Sequence, residues 1–220
     1  MNEINEKNSL MGSDRLCKLC HKNELTYEEF MRSRICLTCI FLDEQKNRES
    51  KIRDLIQSHI PIKYQTIESD HPELEKWTED SLFITGNPGT GKTVLAASIG
   101  KKILRSMNLL DFIKYPDFIM QIQGAFKKEL EDPYEIARIV TKFPGVIIID
   151  DLGAEKLTDF VRQITYYILN EREQNCGTTI ITSNFSLSQL DEQFDSRISS
   201  RFAGMCRIVK LTGADRRIVK

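Results

Sequence analysis

The sequence has no long hydrophobic run. None of its apolar stretches approaches the roughly 18 residues that a membrane span requires. Its first residues, MNEINEKNSLMGSD, lack the apolar core of a secretory leader, so 1–13 reads as a disordered polar tail. With no leader, a cytoplasmic setting is predicted, in which the six cysteines are reduced thiols or metal ligands. Neither internal repeats nor low-complexity stretches are present, which excludes solenoids and fibrous arrays. Charge of one sign is also missing: 31 Lys and Arg face 32 Asp and Glu, for a net charge of −1. Bulk charge therefore gives no reason to expect a nucleic-acid partner. The distribution differs locally. From Arg197 to Lys220, seven cationic side chains (Arg197, Arg201, Arg207, Lys210, Arg216, Arg217, Lys220) meet one acid, Asp215. Such a basic tail suits phosphates or is a solvated face.

What is present is dominated by residues 86–93, GNPGTGKT, the spacing G-x-x-x-x-G-K-[ST]. Gly86, Gly89 and Gly91 permit a tight loop whose N–H groups converge on an anion, and Asn87, Pro88, Thr90 and Val94 complete the loop. Lys92 is expected on the β- and γ-phosphates, and Thr93 on Mg²⁺. An apolar strand, Leu82 to Thr85, precedes the loop, and a helix, Lys92 to Leu104, follows and aims its positive end at the phosphates.

Beyond the loop the chain alternates apolar strands with amphipathic segments, which predicts an α/β fold with a central parallel sheet flanked by helices. Strands are predicted at Phe112 to Tyr115 (stopped by Pro116), Val146 to Ile149, Thr178 to Ser183 and Cys206 to Leu211. Helices are predicted at Asp117 to Glu131 with Asp117 as N-cap, Pro133 to Lys142, Thr158 to Gln174 and Leu187 to Phe194. A charged linker helix is predicted at 43–58, ended by Pro61.

Val146-Ile-Ile-Ile-Asp150-Asp151 delivers two carboxylates at a strand end. Asp150 is expected to hold Mg²⁺ through water and Asp151 to orient or activate the attacking water. Asn184, after Thr182-Ser183, is placed to touch the γ-phosphate, though an Asn there also suits a plain turn. Arg197 and Arg201 are four apart and share a helix face. They suit a transferring phosphoryl group, from this or a neighbouring subunit, or a surface ion pair with Asp191, Glu192 or Asp195.

Cys17-x-x-Cys20 and Cys36-x-x-Cys39 form C-x₂-C-x₁₅-C-x₂-C, a zinc spacing. Four thiolates predict a closed structural Zn²⁺ site in a module spanning 14–42, where the metal supplies folding energy that so small a core cannot. His21 is an alternative ligand. Cys176 and Cys206 read as buried structural thiols.

Taken in order, GNPGTGKT, IIIDDLGAEK, TIITSN, DSRISSRFAG and LTGADRR resemble the DnaC/DnaI-type helicase loaders and the related IstB-type transposition ATPases, which are AAA+ proteins. The resemblance covers residues 59–220 and includes the lead-in His59-Ile-Pro-Ile-Lys-Tyr64. It implies a P-loop AAA+ domain that binds ATP with Mg²⁺, with Lys92 and Thr93 as Walker A, Asp150 and Asp151 as Walker B, and Asn184 as sensor 1. It further implies Arg201 (or Arg197) as an arginine finger acting in trans and Arg216 (or Arg217) as sensor 2. A finger in trans implies self-association. The implied partners are a hexameric DnaB-type replicative helicase and single-stranded DNA, with the zinc module docking on the helicase. An Asp at 151, where many AAA+ proteins carry Glu, predicts slow, switch-like hydrolysis. No C-terminal lid is expected after Arg217. Phe126, Lys127 and Lys128 offer a ring and two cations for single-stranded DNA, unless Phe126 is in the core. Two alternatives remain: an IstB-type regulator of transposition, and an ATP-switched adaptor that diverts a host helicase.

Overall fold

The computed structural model describes residues 18, 37–127, 132–194 and 196–216. The chain divides into two units, Met1–Asp54 and Leu55–Lys220. Among the described residues of the first unit, those from Leu37 onward lie in a long helix, α1 (Leu37–His59). It begins six residues before the 43–58 predicted for the linker, and takes in Cys39, which the sequence reading gave to the zinc module. No Gly or Pro interrupts the stretch from Leu37 to His59, so nothing in it ends the helix early. Cys17, Cys20, His21 and Cys36 lie outside the described residues, as does the predicted tail.

The second unit holds β1 (Leu82–Gly86), β2 (Leu110–Lys114), β3 (Val146–Leu152), β4 (Thr179–Ser183) and β5 (Arg207–Leu211). Its other helices are α2 (Glu73–Lys76), α3 (Lys92–Arg105), α4 (Tyr115–Lys127), α5 (Pro133–Thr141), α6 (Asp159–Gln174), α7 (Leu187–Gln193) and α8 (Ser196–Met205), with a 3₁₀ turn at Ile62–Tyr64. The strands form one sheet in the order β2-β3-β4-β1-β5, and every pairing is parallel. The predicted α/β class with a central parallel sheet flanked by helices is what the chain adopts.

Strand alternation builds two cores. Phe83, Ile147, Ile149 and Ile181 face α4 to α8, joining Ile122, Ala137, Ile164, Ile168, Leu190 and Phe202. Leu82, Ile84, Ile148 and Ile180 point the other way, onto α3 through Leu95, Ala96, Ile99 and Ile103, with Ile60 and Trp77. Successive side chains of a strand point to opposite faces, so near-continuous apolar runs such as Val146 to Ile149 serve both layers. Each such buried side chain contributes about 1.5–3 kcal/mol.

Local signals set the helix starts. Thr158 caps α6 by accepting from Val161 N, Asp132 caps α5 by accepting from Tyr134 N, and Ser186 with Gln189 forms a capping box on α7. Two expectations are corrected. Pro116 lies in the first turn of α4, where its missing N–H is harmless, so Tyr115 starts a helix rather than ending a strand. Asp117 is therefore inside the first turn and not the N-cap. The remainder of the predicted 117–131 helix, with Lys128, lies outside the described residues.

Candidate nucleotide site

The loop from Gly86 to Lys92 joins the end of β1 to the start of α3. Gly86 has φ 153° and its Cα approaches the β5 backbone: a Cβ there would lie 2.3 Å from the Leu211 carbonyl oxygen. The residue before the helix, Gly91, is left-handed at φ 96°. Thr90 Oγ1 donates to Asn87 O (2.8 Å) and tightens the turn. Lys92, 6 % exposed, folds back over the loop. Its Nζ donates to Gly86 O (2.7 Å), Asn87 O (2.9 Å) and Asn184 Oδ1 (2.7 Å).

Asn184 passes the connection on, since its Nδ2 donates to Asp151 Oδ1 (3.2 Å). Asp151 sits at an irregularity in the β3–β4 register between Ile149 and Leu152, with φ 63°. Thr182 on β4 holds that distortion. Its hydroxyl accepts from Asp151 N (2.9 Å) and donates to Asp150 Oδ1 (2.7 Å). Asp150 is 6 % exposed, and burial raises its proton affinity against the hydrogen bonds from Thr182 and Thr93. Asp151 adds to the rise by repulsion. A buried carboxylate beside the Thr93 hydroxyl is an all-oxygen pair suited to a hard divalent cation. Glu155, on the turn after β3, also has a raised proton affinity, through burial, although Gly153 N donates to its carboxylate.

A cleft of about 490 Å³ joins these groups. It is lined by Pro88, Gly89, Gly91, Lys92, Thr93, Val94, Asp150, Asp151, Asn184 and Arg216 on the loop side. Lys63, Tyr64, Ile67 and Glu68 form a further wall. Arg216 N donates to Gly89 O (3.1 Å), and its guanidinium donates to Asp70 (3.0 Å). The fold thus gathers the loop, both acids, Asn184 and Arg216 at one edge of the sheet. Arg217 lies outside the described residues.

Arg197 and Arg201 are elsewhere. Both lie on α8 and cover the Tyr166 ring, at 5.3 and 5.7 Å from its centroid. Among the described residues Arg201 pairs with Glu173 of α6 rather than with Asp191 or Glu192; Asp195, the third acid the sequence offered, lies outside them. Neither arginine lines the nucleotide cleft of its own chain. The basic tail is partly neutralised: besides Arg201, Arg207 pairs with Glu73 and Asp80, and Arg216 with Asp70. Two thiol and ring expectations divide. Cys206 is buried, but Cys176 is exposed at φ 51°, in the turn after α6. Phe126 is 57 % exposed, not in the core, and stacks on Phe160 at 5.8 Å.

The sequence reading did not single out Thr182 as the link between the two acids. The local sign is weak, since Thr182 is one of three hydroxyl residues in the strand TIITS. The wall from Lys63 to Glu68 was seen only as part of a lead-in segment.

The sequence pattern of the IstB-like ATP binding protein family matches residues 75–218, well over half of the chain. The chain belongs to that family. Among its relatives is the replicative helicase loader DnaI of Bacillus subtilis (strain 168), 23 % identical over 207 residues, covering 80 % of this chain and 65 % of DnaI. Another is the IS5376 insertion-sequence ATP-binding protein of Geobacillus stearothermophilus, 29 % identical over 119 residues. That match covers 52 % of this chain and 44 % of the relative. The chain thus spans about two thirds of one relative and less than half of the other. The crystal structure of the DnaC helicase loader superposes with a TM-score of 0.59 at 23 % identity, over 69 % of this chain and all of that one. The IstB-like chain therefore has the AAA+ fold of the DnaC and DnaI loaders. Among the described residues, no helix is long and apolar enough to cross a membrane.

Proposed function

We propose that this IstB-like protein is a Mg²⁺-dependent ATPase that binds a hexameric DnaB-type replicative helicase and places it on single-stranded DNA in the cytoplasm. One observation carries the reading: the hydrogen-bonded chain Lys92–Asn184–Asp151 along one cleft, with Asp150 joined to Asp151 through Thr182. In this chain Lys92 and the loop N–H groups hold the β- and γ-phosphates, and Asn184 reports the γ-phosphate to Asp151, which orients water. Thr93 and Asp150 would hold Mg²⁺, which when bound neutralises phosphate charge. Arg216 reaches the phosphates from the loop's other side. Arg201, with Arg197 beside it, does not line its own cleft and suits a neighbouring subunit's nucleotide, which implies self-association. DNA contact is assigned to the groove where Phe126 and Phe160 stack beside Lys127 and Lys156.

The organisation proposed is a tail (1–13), a zinc module (14–42) bound by Cys17, Cys20, Cys36 and Cys39, a linker helix and the ATPase domain (59–220). The zinc module docks on the helicase. The insertion-sequence relative favours a second reading, an IstB-type ATPase that regulates transposition. The test is helicase delivery to single-stranded DNA coated with its binding protein. Strand unwinding that requires this protein and ATP supports loading. A protein that ignores the helicase and coats duplex DNA with ATP moves the assignment to transposition.

A further inference from the structure

The wall of the cleft opposite the phosphate loop is a strap, residues 60–70, whose only regular structure is the single 3₁₀ turn. Its position is nevertheless closely tied to α3, the helix that begins at Lys92. Lys101 of α3 is fully buried. Its Nζ donates to Tyr64 O (3.1 Å) and Ile67 O and faces Glu68 Oε1 at 3.2 Å. Each of these three partners belongs to a residue that lines the cleft. Arg105, one turn on, donates to the same Glu68 carboxylate (2.8 Å), and the buried Ser98 hydroxyl accepts from Ser69 N (2.9 Å). At the strap's far end Asp70 accepts from Arg216, whose own N–H is bonded to the loop carbonyl of Gly89.

A buried ammonium is tolerated only when its protons are matched by acceptors, and it adds little that an apolar residue of equal size would not. Lys101 has three acceptors, all on the strap. Its placement is therefore explained by what it holds. If the cleft is an ATP site, as proposed above, the phosphate loop takes the triphosphate and the strap is the surface left for the nucleoside. We propose that Lys101 is a positioning residue for the nucleoside half of ATP. It locks residues 64–68 to the phosphate-loop helix, so that both halves of the nucleotide meet one preset cleft. Without the lock, the strap must be ordered at the moment of binding, which weakens affinity.

The test compares mant-ATP with inorganic tripolyphosphate on the full chain, each with Mg²⁺. Lys101→Met is expected to raise the Kd for mant-ATP about tenfold through lost preorganisation, and to leave tripolyphosphate within about twofold. Glu68→Gln keeps the lysine buried and weakens the same clamp from its exposed side. It is expected to lower mant-ATP affinity in the same selective way, and it decides the matter if the Lys101 variant does not fold. Unchanged mant-ATP affinity in the folded variants overturns the proposal, as does an equal loss for both ligands. Wild-type protein that binds neither ligand overturns the ATP reading itself, a result distinct from either.

Discussion

Thr182→Val keeps the shape of the side chain and removes one hydroxyl, but that hydroxyl serves two partners, the buried Asp150 carboxylate and the half-buried Asp151 N–H. It accepts from Asp151 N at 2.9 Å and donates to Asp150 Oδ1 at 2.7 Å. The substitution strands a backbone N–H at a residue held at φ 63° and withdraws a donor from a carboxylate that is 6 % exposed. An unsatisfied buried group costs about 1–3 kcal/mol, and a bond to a charged group is worth about 1.5–3 kcal/mol. The two losses act on one site and do not simply add, so about 2–4 kcal/mol of stability is expected to be lost. Urea unfolding of the two proteins measures it. Turnover is affected separately, because Asp151 loses the anchor that sets its carboxylate toward Asn184. A loss of about 2 kcal/mol of transition-state positioning is roughly thirtyfold in kcat. ATP affinity, set by the loop, is expected to stay within about threefold. Thr182→Ser, which keeps the hydroxyl, is expected to recover most of both losses. A valine variant within about 0.5 kcal/mol of wild type and with normal turnover would refute the claim that Thr182 organises the acids.

Gly86→Ala forces a methyl to within 2.3 Å of the Leu211 carbonyl at a left-handed φ, so it is expected to cost about 1–3 kcal/mol and to abolish nucleotide binding. Wild-type affinity in that variant contradicts the loop geometry. Arg201→Ala is expected to bind ATP normally and to lose the hydrolysis that depends on assembly. Full activity shifts the role to Arg197. Burial pushes the Cys206 thiol up to about 12, so at pH 8 roughly one molecule in ten thousand carries the reactive thiolate there. Peptide mapping after brief alkylation is expected to find Cys176 modified in native protein and Cys206 only after unfolding. Early labelling of Cys206 contradicts its burial.

The features legible in the sequence are those whose physics is local. GNPGTGKT announces its own backbone, and an apolar run ending in Asp150 and Asp151 can only bring those acids to the strand's C-terminal edge. Capping residues such as Thr158 and Ser186 likewise act within one turn. Illegible features depend on distant partners. Lys101 reads as an ordinary helical lysine until the strap, 33 to 37 residues earlier, closes over it. Arg207 and Glu73 meet across 134 residues. Phe126 carries the same apolar signal whether buried or exposed and stacked on a half-buried Phe160, because periodicity cannot report the far side of a helix. Pro116 misled for a different reason: proline punctuates both strand ends and helix starts, and only the pairing of β2 with β3 decides which.

The most direct measurement is calorimetric titration of ATP with Mg²⁺ into wild-type protein and Lys92→Ala, read together with steady-state hydrolysis. Lys92 Nζ is bonded at once to the loop and to Asn184, so its loss is expected to abolish binding and turnover together. An alanine variant that binds and hydrolyses ATP as the wild type does would contradict the assignment of this cleft as the nucleotide site.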